Sequence, residues 1–159
     1  MAKVKPMRRL NALLCCGLLL LVGSARADWQ TDPVLFFDKF TALGQAFDPA
    51  MAELYADAAQ IHSVRRYQHG LERDQKMAGD EWKALLREVL PLARKLGDKN
   101  NFSNVLITET ETGFTVAAHR YSVRQCYIDE NYYLKLVHDA GGKLVIMEEY
   151  SETQPQHRC

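Results

Sequence analysis

No stretch of the chain holds the roughly 20 consecutive apolar residues that a membrane-spanning helix requires; the longest such run, Ala12 to Val22, is about half that length. The chain also has no G-x-S-x-G, no P-loop, no H-E-x-x-H and no C-x-x-C, so the common nucleophile, phosphate-cradle, zinc-protease and redox motifs are excluded. Its five histidines (62, 69, 119, 138 and 157) are scattered without metal-ligand spacing. No segment repeats, none is of low complexity, and no cofactor is expected.

The apolar run has a directed context. Lys3, Lys5, Arg8 and Arg9 precede it, and Ala25-Arg26-Ala27 follows with small residues at the −3 and −1 positions. A cationic start, a short apolar centre and an A-x-A site form the pattern of a cleavable secretory signal over residues 1–27, with Asp28 as the new N-terminus. Export to a periplasm or beyond the cell is expected, with no stable membrane anchor after cleavage. Cys15-Cys16 lies inside the run, but Leu14 precedes it where lipoprotein processing wants a small residue.

Cleavage alters the charge. The whole chain has 20 basic and 20 acidic residues, and five of the basic ones lie before Asp28, so 15 remain against 20. A mildly acidic domain with no basic stripe excludes nucleic acid as the expected partner. The remaining length is enough for one domain, 28–150, with a tail over 151–159 expected to be irregular.

Asp32-Pro33 pairs an N-cap with a proline at the first helical position. Phe36, Phe40, Leu43 and Phe47 then recur at helical intervals, and Asp48-Pro49 opens a second short helix to about Ala56. Residues 59–67 read as a strand, and Glu72 to Lys76 shows no clear periodicity. Asp80 is the expected cap of a third helix carrying Trp82, Leu86 and Leu90, kinked at Pro91 and closed by Gly97. From Phe102 the period falls to two, giving strands near 102–109, 113–126, 132–138 and 143–150. Turns are expected at Thr112-Gly113, at 128–131 and at 140–142. The order predicts an α+β domain with its helices on one face of an antiparallel meander.

This layout resembles the nuclear-transport-factor-2-like superfamily, also called the cystatin-like or ketosteroid-isomerase-like cone. The likeness is carried by the opening helix, by DPAMAELYADAAQ (48–60) leading into Ile61-His62, by the Trp82–Leu96 helix, and by GGKLVIMEEYSE (141–152). It implies three N-terminal helices packed in a strongly curved, mainly antiparallel sheet, a half-barrel around a conical cavity. The family uses that cavity for isomerase, dehydratase, hydrolase or cyclase chemistry, as a ligand pocket, or as a protein-binding surface. The base and the tyrosine–aspartic acid pair of its isomerases do not map as a set onto this chain.

Four residues are candidates for the cavity. His62, on the first strand, is a candidate proton carrier if it points into the cavity, imidazole being the side chain most used for that task; the bland alternative is a hydrogen-bonded or solvated strand histidine. Arg120 and Tyr121 lie on opposite faces of the central strand, and either could polarise a carbonyl or hold a carboxylate. Glu148 and Glu149 also face opposite ways, so one faces the cavity and the other solvent; Glu148 is the candidate, as a base with a raised pKa or as a structural partner of Arg120. His62, Tyr121 and Glu148 are the catalytic candidates, and Arg120 joins them in ligand binding.

Leu134, Leu136, Leu144 and Ile146 are expected to fill the cavity side, leaving Val137, Val145 and Met147 as a second apolar face for a homodimer. The readings are thus a pocket for a small, partly apolar molecule or a protein partner, an isomerase-, dehydratase- or hydrolase-type enzyme, or a dimeric interaction module. Cys126 and Cys159 survive cleavage. In an oxidising compartment they can pair with each other, Cys126 can stay buried beside a loose terminal thiol, or Cys159 can link chains. Two reversals in the meander bring the end of the last strand to the edge where Cys126 lies, and nine residues span about 30 Å. A bridge there would contribute about 3–4 kcal/mol. Thiol titration of the exported protein in denaturant is expected to find neither cysteine free; two free thiols per chain would overturn the bridge.

Overall fold

A computed structural model describes residues 28–155. The expected signal over 1–27 and Cys159 lie outside the described residues. Helix α1 (Pro33–Ala46) starts as its sequence predicts: the Asp32 carboxylate accepts from the N–H of Val34 at 2.9 Å and of Leu35 at 3.1 Å. It buries Phe36, Phe37, Phe40 and Leu43, worth about 1.5–3 kcal/mol each. Asp48 then caps a short 3-10 helix, Pro49–Leu54, by accepting from the Ala50 N–H.

Strand β1 (Tyr55–Arg66) follows directly, then β2 (Glu72–Ala78), helix α2 (Gly79–Leu96), β3 (Asn100–Thr110), β4 (Gly113–Ser122), β5 (Tyr127–His138) and β6 (Leu144–Pro155). The sheet order is β2-β1-β6-β5-β4-β3. The expected meander is therefore the β3-to-β6 half, and β1 joins it by pairing parallel to β6, with β2 antiparallel beyond. The result is a six-stranded, curved, unclosed mixed sheet. Its inner face packs Val116, Ala118, Tyr132, Leu134, Leu136, Leu144 and Ile146 with the helices into one core.

Several expectations are corrected. Among the described residues there are two α-helices and one 3-10 segment, and β2 stands between β1 and α2. Residues 72–78 form an edge strand; almost all are exposed, so no alternation marked them. Asp80 does not cap α2, which opens at Gly79 with no side-chain cap bond and holds Asp80 in its first turn, where the helix dipole favours an acid. Pro91 lies inside α2 without ending it. The expected turn at 128–131 is part of β5, and the chain from Ser151 continues as β6 to Pro155 because it is paired on both sides. Tyr127 pairs with Pro155, so Cys126 adjoins the end of β6.

Two bulges set which residues face inward. Leu136 pairs with Ile146, but Lys135 pairs with Glu148, so Met147 is an extra residue in β6. In β5 the register against β4 slips between Tyr132, opposite Ala118, and Asp129, opposite Arg120. Each extra residue flips the alternation beyond it. Hence Leu144 and Ile146 share the inner face with Glu149, Ser151 and Thr153, and Tyr132, Leu134 and Leu136 share it with Asp129.

Gly79 is fixed by space. A Cβ there would meet the Ala56 carbonyl oxygen at 2.1 Å and the Ala59 nitrogen at 2.9 Å, both backbone atoms. Gly44, in α1, would meet only Met51, at 3.8 Å. Gly79→Ala is expected to lower unfolding stability by about 1–3 kcal/mol, and Gly44→Ala to raise it by about 0.5–1 kcal/mol. Urea denaturation checks both, and equal effects would contradict the packing described.

Candidate functional site

The inner sheet face and the helices enclose two chambers. The first, about 210 Å³, is walled by Phe40, Phe47, Met51, Leu86, Leu90 and Phe102. The second, about 220 Å³, lies toward β1 and β2 and is lined by Ile61, Ser63, Arg65, Met77, Ser151 and Thr153. Trp82, Arg120 and Glu149 line both, so the polar groups converge where the chambers meet. A wider cleft of about 810 Å³ between α1 and β3 is open to solvent and has only Asp38 as an ionisable group.

Glu149 is 5 % exposed and its carboxylate accepts from two phenols, Tyr55 O–H at 2.5 Å and Tyr132 O–H at 2.9 Å. Tyr55 opens β1, Tyr132 is on β5 and Glu149 on β6, so this contact ties three strands together. Burial pushes the Glu149 carboxyl above the ordinary range, against the pull of Arg120 and the two phenols. Both phenols are held well above their usual range, first by burial and then by the Glu149 charge.

Arg120 enters from β4. Its guanidinium lies 4.7 Å over the Tyr132 ring and pairs with Asp129 at 3.3 Å. Asp129, 1 % exposed, also accepts from the N–H of Asn131 at 3.1 Å and of Glu152 at 2.9 Å. Burial raises its carboxyl too, with Arg120 opposing. Trp82 comes from α2, its ring edge-on to Tyr55 at 6.3 Å. Its indole N–H favours the ionised form of Tyr55 slightly, yet Nε1 is buried and no acceptor meets hydrogen-bond geometry with it. Among the described residues no His/Cys/Asp/Glu group is arranged to hold a metal, and no helix is long and apolar enough to cross a membrane.

The residues predicted from sequence do not share one cavity. Arg120 lines both chambers. His62 lies on the outer face, where Nε2 meets Asp74 at 2.9 Å and the ring packs edge-on against Tyr150 at 5.2 Å. Glu148 is on the outer face as well, accepting from Tyr133 O–H at 2.5 Å and from Lys135 Nζ at 2.7 Å. Burial draws its carboxyl upward, but Lys135 and Tyr133 outweigh it and leave it below the ordinary range. Tyr121 alternates with Arg120 and so faces away from the chambers, opposite Asn101 and Ile128 in the flanking strands. The bulge at Met147 explains the exchange: continuing the parity of Ile146 gives Glu148, and the extra residue delivers Glu149 instead. Asp129 was hidden by reading 128–131 as a turn, and Tyr55 and Tyr132 by the lack of any local signal that two phenols converge.

No family model and no curated relative matches the sequence. Solved structures do match the fold. An NTF2-like protein of unknown function from Shewanella baltica aligns at TM-score 0.53 and 12 % identity over 77 % of this chain and 91 % of its own. The yeast UBP3-associated protein BRE5 aligns at 0.58 and 11 % over 82 % of this chain and 100 % of its own. A putative ketosteroid isomerase from Parabacteroides distasonis aligns at 0.52 and 9 % over 77 % and 87 %. The fold is the NTF2-like cone. At such identities the likeness extends to the fold and not to activity.

Glu149 and Asp129 hold protons more tightly folded than unfolded, so each contributes most below its unfolded pKa and loses that contribution as pH rises through its folded value. Glu53, Asp57 and Glu148 are shifted the opposite way. Glu149→Gln removes one term of the first kind. Its melting temperature, followed from pH 4 to 8, is expected to gain on the parent as pH rises. A constant difference would show that Glu149 does not titrate with folding.

Proposed function

We propose that this is an exported binding domain whose cone takes up a small, partly apolar molecule, held at its polar end by Trp82, Arg120 and Glu149. The observation that carries this reading is the Trp82 N–H, buried where the two chambers meet and, among the described residues, left without a well-formed hydrogen bond, the Tyr55 oxygen being its one polar neighbour of note. An unmade hydrogen bond of that kind costs about 1–3 kcal/mol, and a ligand acceptor in the chamber removes the cost. The two chambers together fall within the range of about 300–1,000 Å³ usual for small-molecule sites, the first mainly apolar and the second mixed in its lining. Export rests on the pattern of residues 1–27.

Catalysis is the second reading, favoured by a buried carboxyl shifted toward neutrality beside an apolar chamber. Glu149 is the proton carrier in that case, not His62, Tyr121 or Glu148. Against it, both phenols donate to Glu149 itself, leaving Trp82 and Arg120, among the described residues that line both chambers, to donate to a developing oxyanion. Self-association through the outer face, where Val137, Val145 and Met147 lie half-buried, is compatible with either.

The chain has two tryptophans, so Trp29→Phe leaves Trp82 as the reporter. Titration of that variant with 2-naphthol is expected to change Trp82 emission saturably, and Gly44→Leu, which projects a side chain into the first chamber, to weaken binding at least tenfold without loss of fold. Absence of a saturable change in the parent, or an unaffected Gly44→Leu variant, would remove the pocket reading.

A further inference from the structure

The second chamber is unbalanced in hydrogen-bonding character. The hydroxyls of Ser63, Ser151 and Thr153, the Trp82 N–H and two guanidiniums, Arg65 and Arg120, all line it. Among the described residues neither Ser63 nor Ser151 has a side-chain hydrogen bond, and Thr153 donates only weakly, to the Val64 carbonyl at 3.5 Å. The two buried carboxylates nearby are already engaged. Glu149 receives the two phenols, and Asp129 receives Arg120 and two backbone N–H groups.

The two arginines differ in one respect. Arg120 has Asp129 as its counter-charge. Arg65 lies 4.7 Å over the Tyr127 ring and, among the described residues, forms no ion pair. Both also line an adjoining polar recess of about 150 Å³ with Ser122 and Thr153, so they face a common space. Its one carboxylate, Asp98, accepts from Ser122 Oγ at 2.9 Å and Gln125 Nε2 at 2.5 Å. A space with several unspent donors and one uncompensated planar cation is complementary to a single planar anion.

We infer that the ligand is an amphipathic monocarboxylate, its acid group held between Arg65 and Arg120 and its apolar body directed past Trp82 into the first chamber. The inference rests on the pocket reading and adds the chemical class. One charge is specified because, among the described residues, one of the two guanidiniums has no carboxylate paired with it. A carboxylate is specified because its two oxygens match the forked N–H groups of an arginine, with Ser63, Ser151 and Thr153 left to donate to the remaining lone pairs. The first chamber is walled mainly by phenyl and aliphatic groups, and the further polar groups in its lining, Thr41, Gln45, Asp98 and Asn100, include no cation that would call for a second acid.

Calorimetric titration of the mature protein with octanoate and with octanol at pH 8 tests this directly, since the two share a tail and differ in the head. Octanoate is expected to bind at least tenfold more tightly, as charge-assisted hydrogen bonds require. Arg65→Gln is expected to abolish that preference while leaving octanol binding within about twofold, with far-ultraviolet circular dichroism confirming the fold. Equal binding of the two, or a preference for octanol, would overturn the acid-head inference and leave the pocket standing. A preference that survives in Arg65→Gln would overturn the assignment to Arg65. Binding of neither probe would count against the pocket and the inference alike, and the 2-naphthol titration then separates the two.

Discussion

A carboxyl group deep inside an apolar domain has to be met by donors, and the Glu149 carboxylate is met by the hydroxyls of Tyr55 and Tyr132. Without them its burial would be costly, because an isolated ionised carboxylate is strongly disfavoured away from water. With them it becomes a junction. Tyr55 stands where the 3-10 helix passes into β1, Tyr132 on the middle of β5, and Glu149 just beyond the bulge of β6. The strands of the sheet's two halves are thereby held at a fixed inward spacing, and the space left between them and the helices is the cone.

The charges around this junction are deliberately few. Arg120 is the cation next to two buried acids, Glu149 and Asp129, and it forms its ion pair with Asp129. One guanidinium cannot fully offset two desolvated carboxyls, and both are shifted upward. The site is thus less acidic in charge than its residue list implies. That matters for what can enter: donors predominate over free acceptors, and the approach from β1 passes Arg65.

The hollow persists because its walls are stiff. Phe102 packs edge-on to Phe37 at 5.4 Å and lies 5.3 Å from Tyr132, while Phe37 and Phe40 stack at 5.8 Å. Aromatic side chains with two torsions each and several ring neighbours do not collapse into the space beside them. The outer face is organised differently. There Tyr133 and Tyr150 stack, His62 packs on Tyr150, and Lys135 neutralises Glu148, so its ionisable groups are matched near water.

Local signals in the amino-acid order determined the kinds of element and most of their positions. Asp32-Pro33 and Asp48-Pro49 start helical segments because a carboxylate and a proline suit unsatisfied N–H groups, and the phenylalanine spacing of α1 can bury one face only as a helix. Gly97 closes α2 in the left-handed region. Alternation correctly placed Leu134, Leu136, Leu144 and Ile146 inside and Arg120 opposite Tyr121. Tertiary structure alone decided the rest. The parallel pairing of β1 with β6, the strand nature of exposed β2 and the identity of the inward glutamate all depend on which strands become neighbours. A bulge is a property of two strands in register and not of the residues that form it: nothing in Val145-Ile146-Met147-Glu148 distinguishes an extra residue from an ordinary one. Periodicity carries a face forward only until such a slip, and beyond Met147 it pointed to Glu148 while the paired sheet turned Glu149 inward.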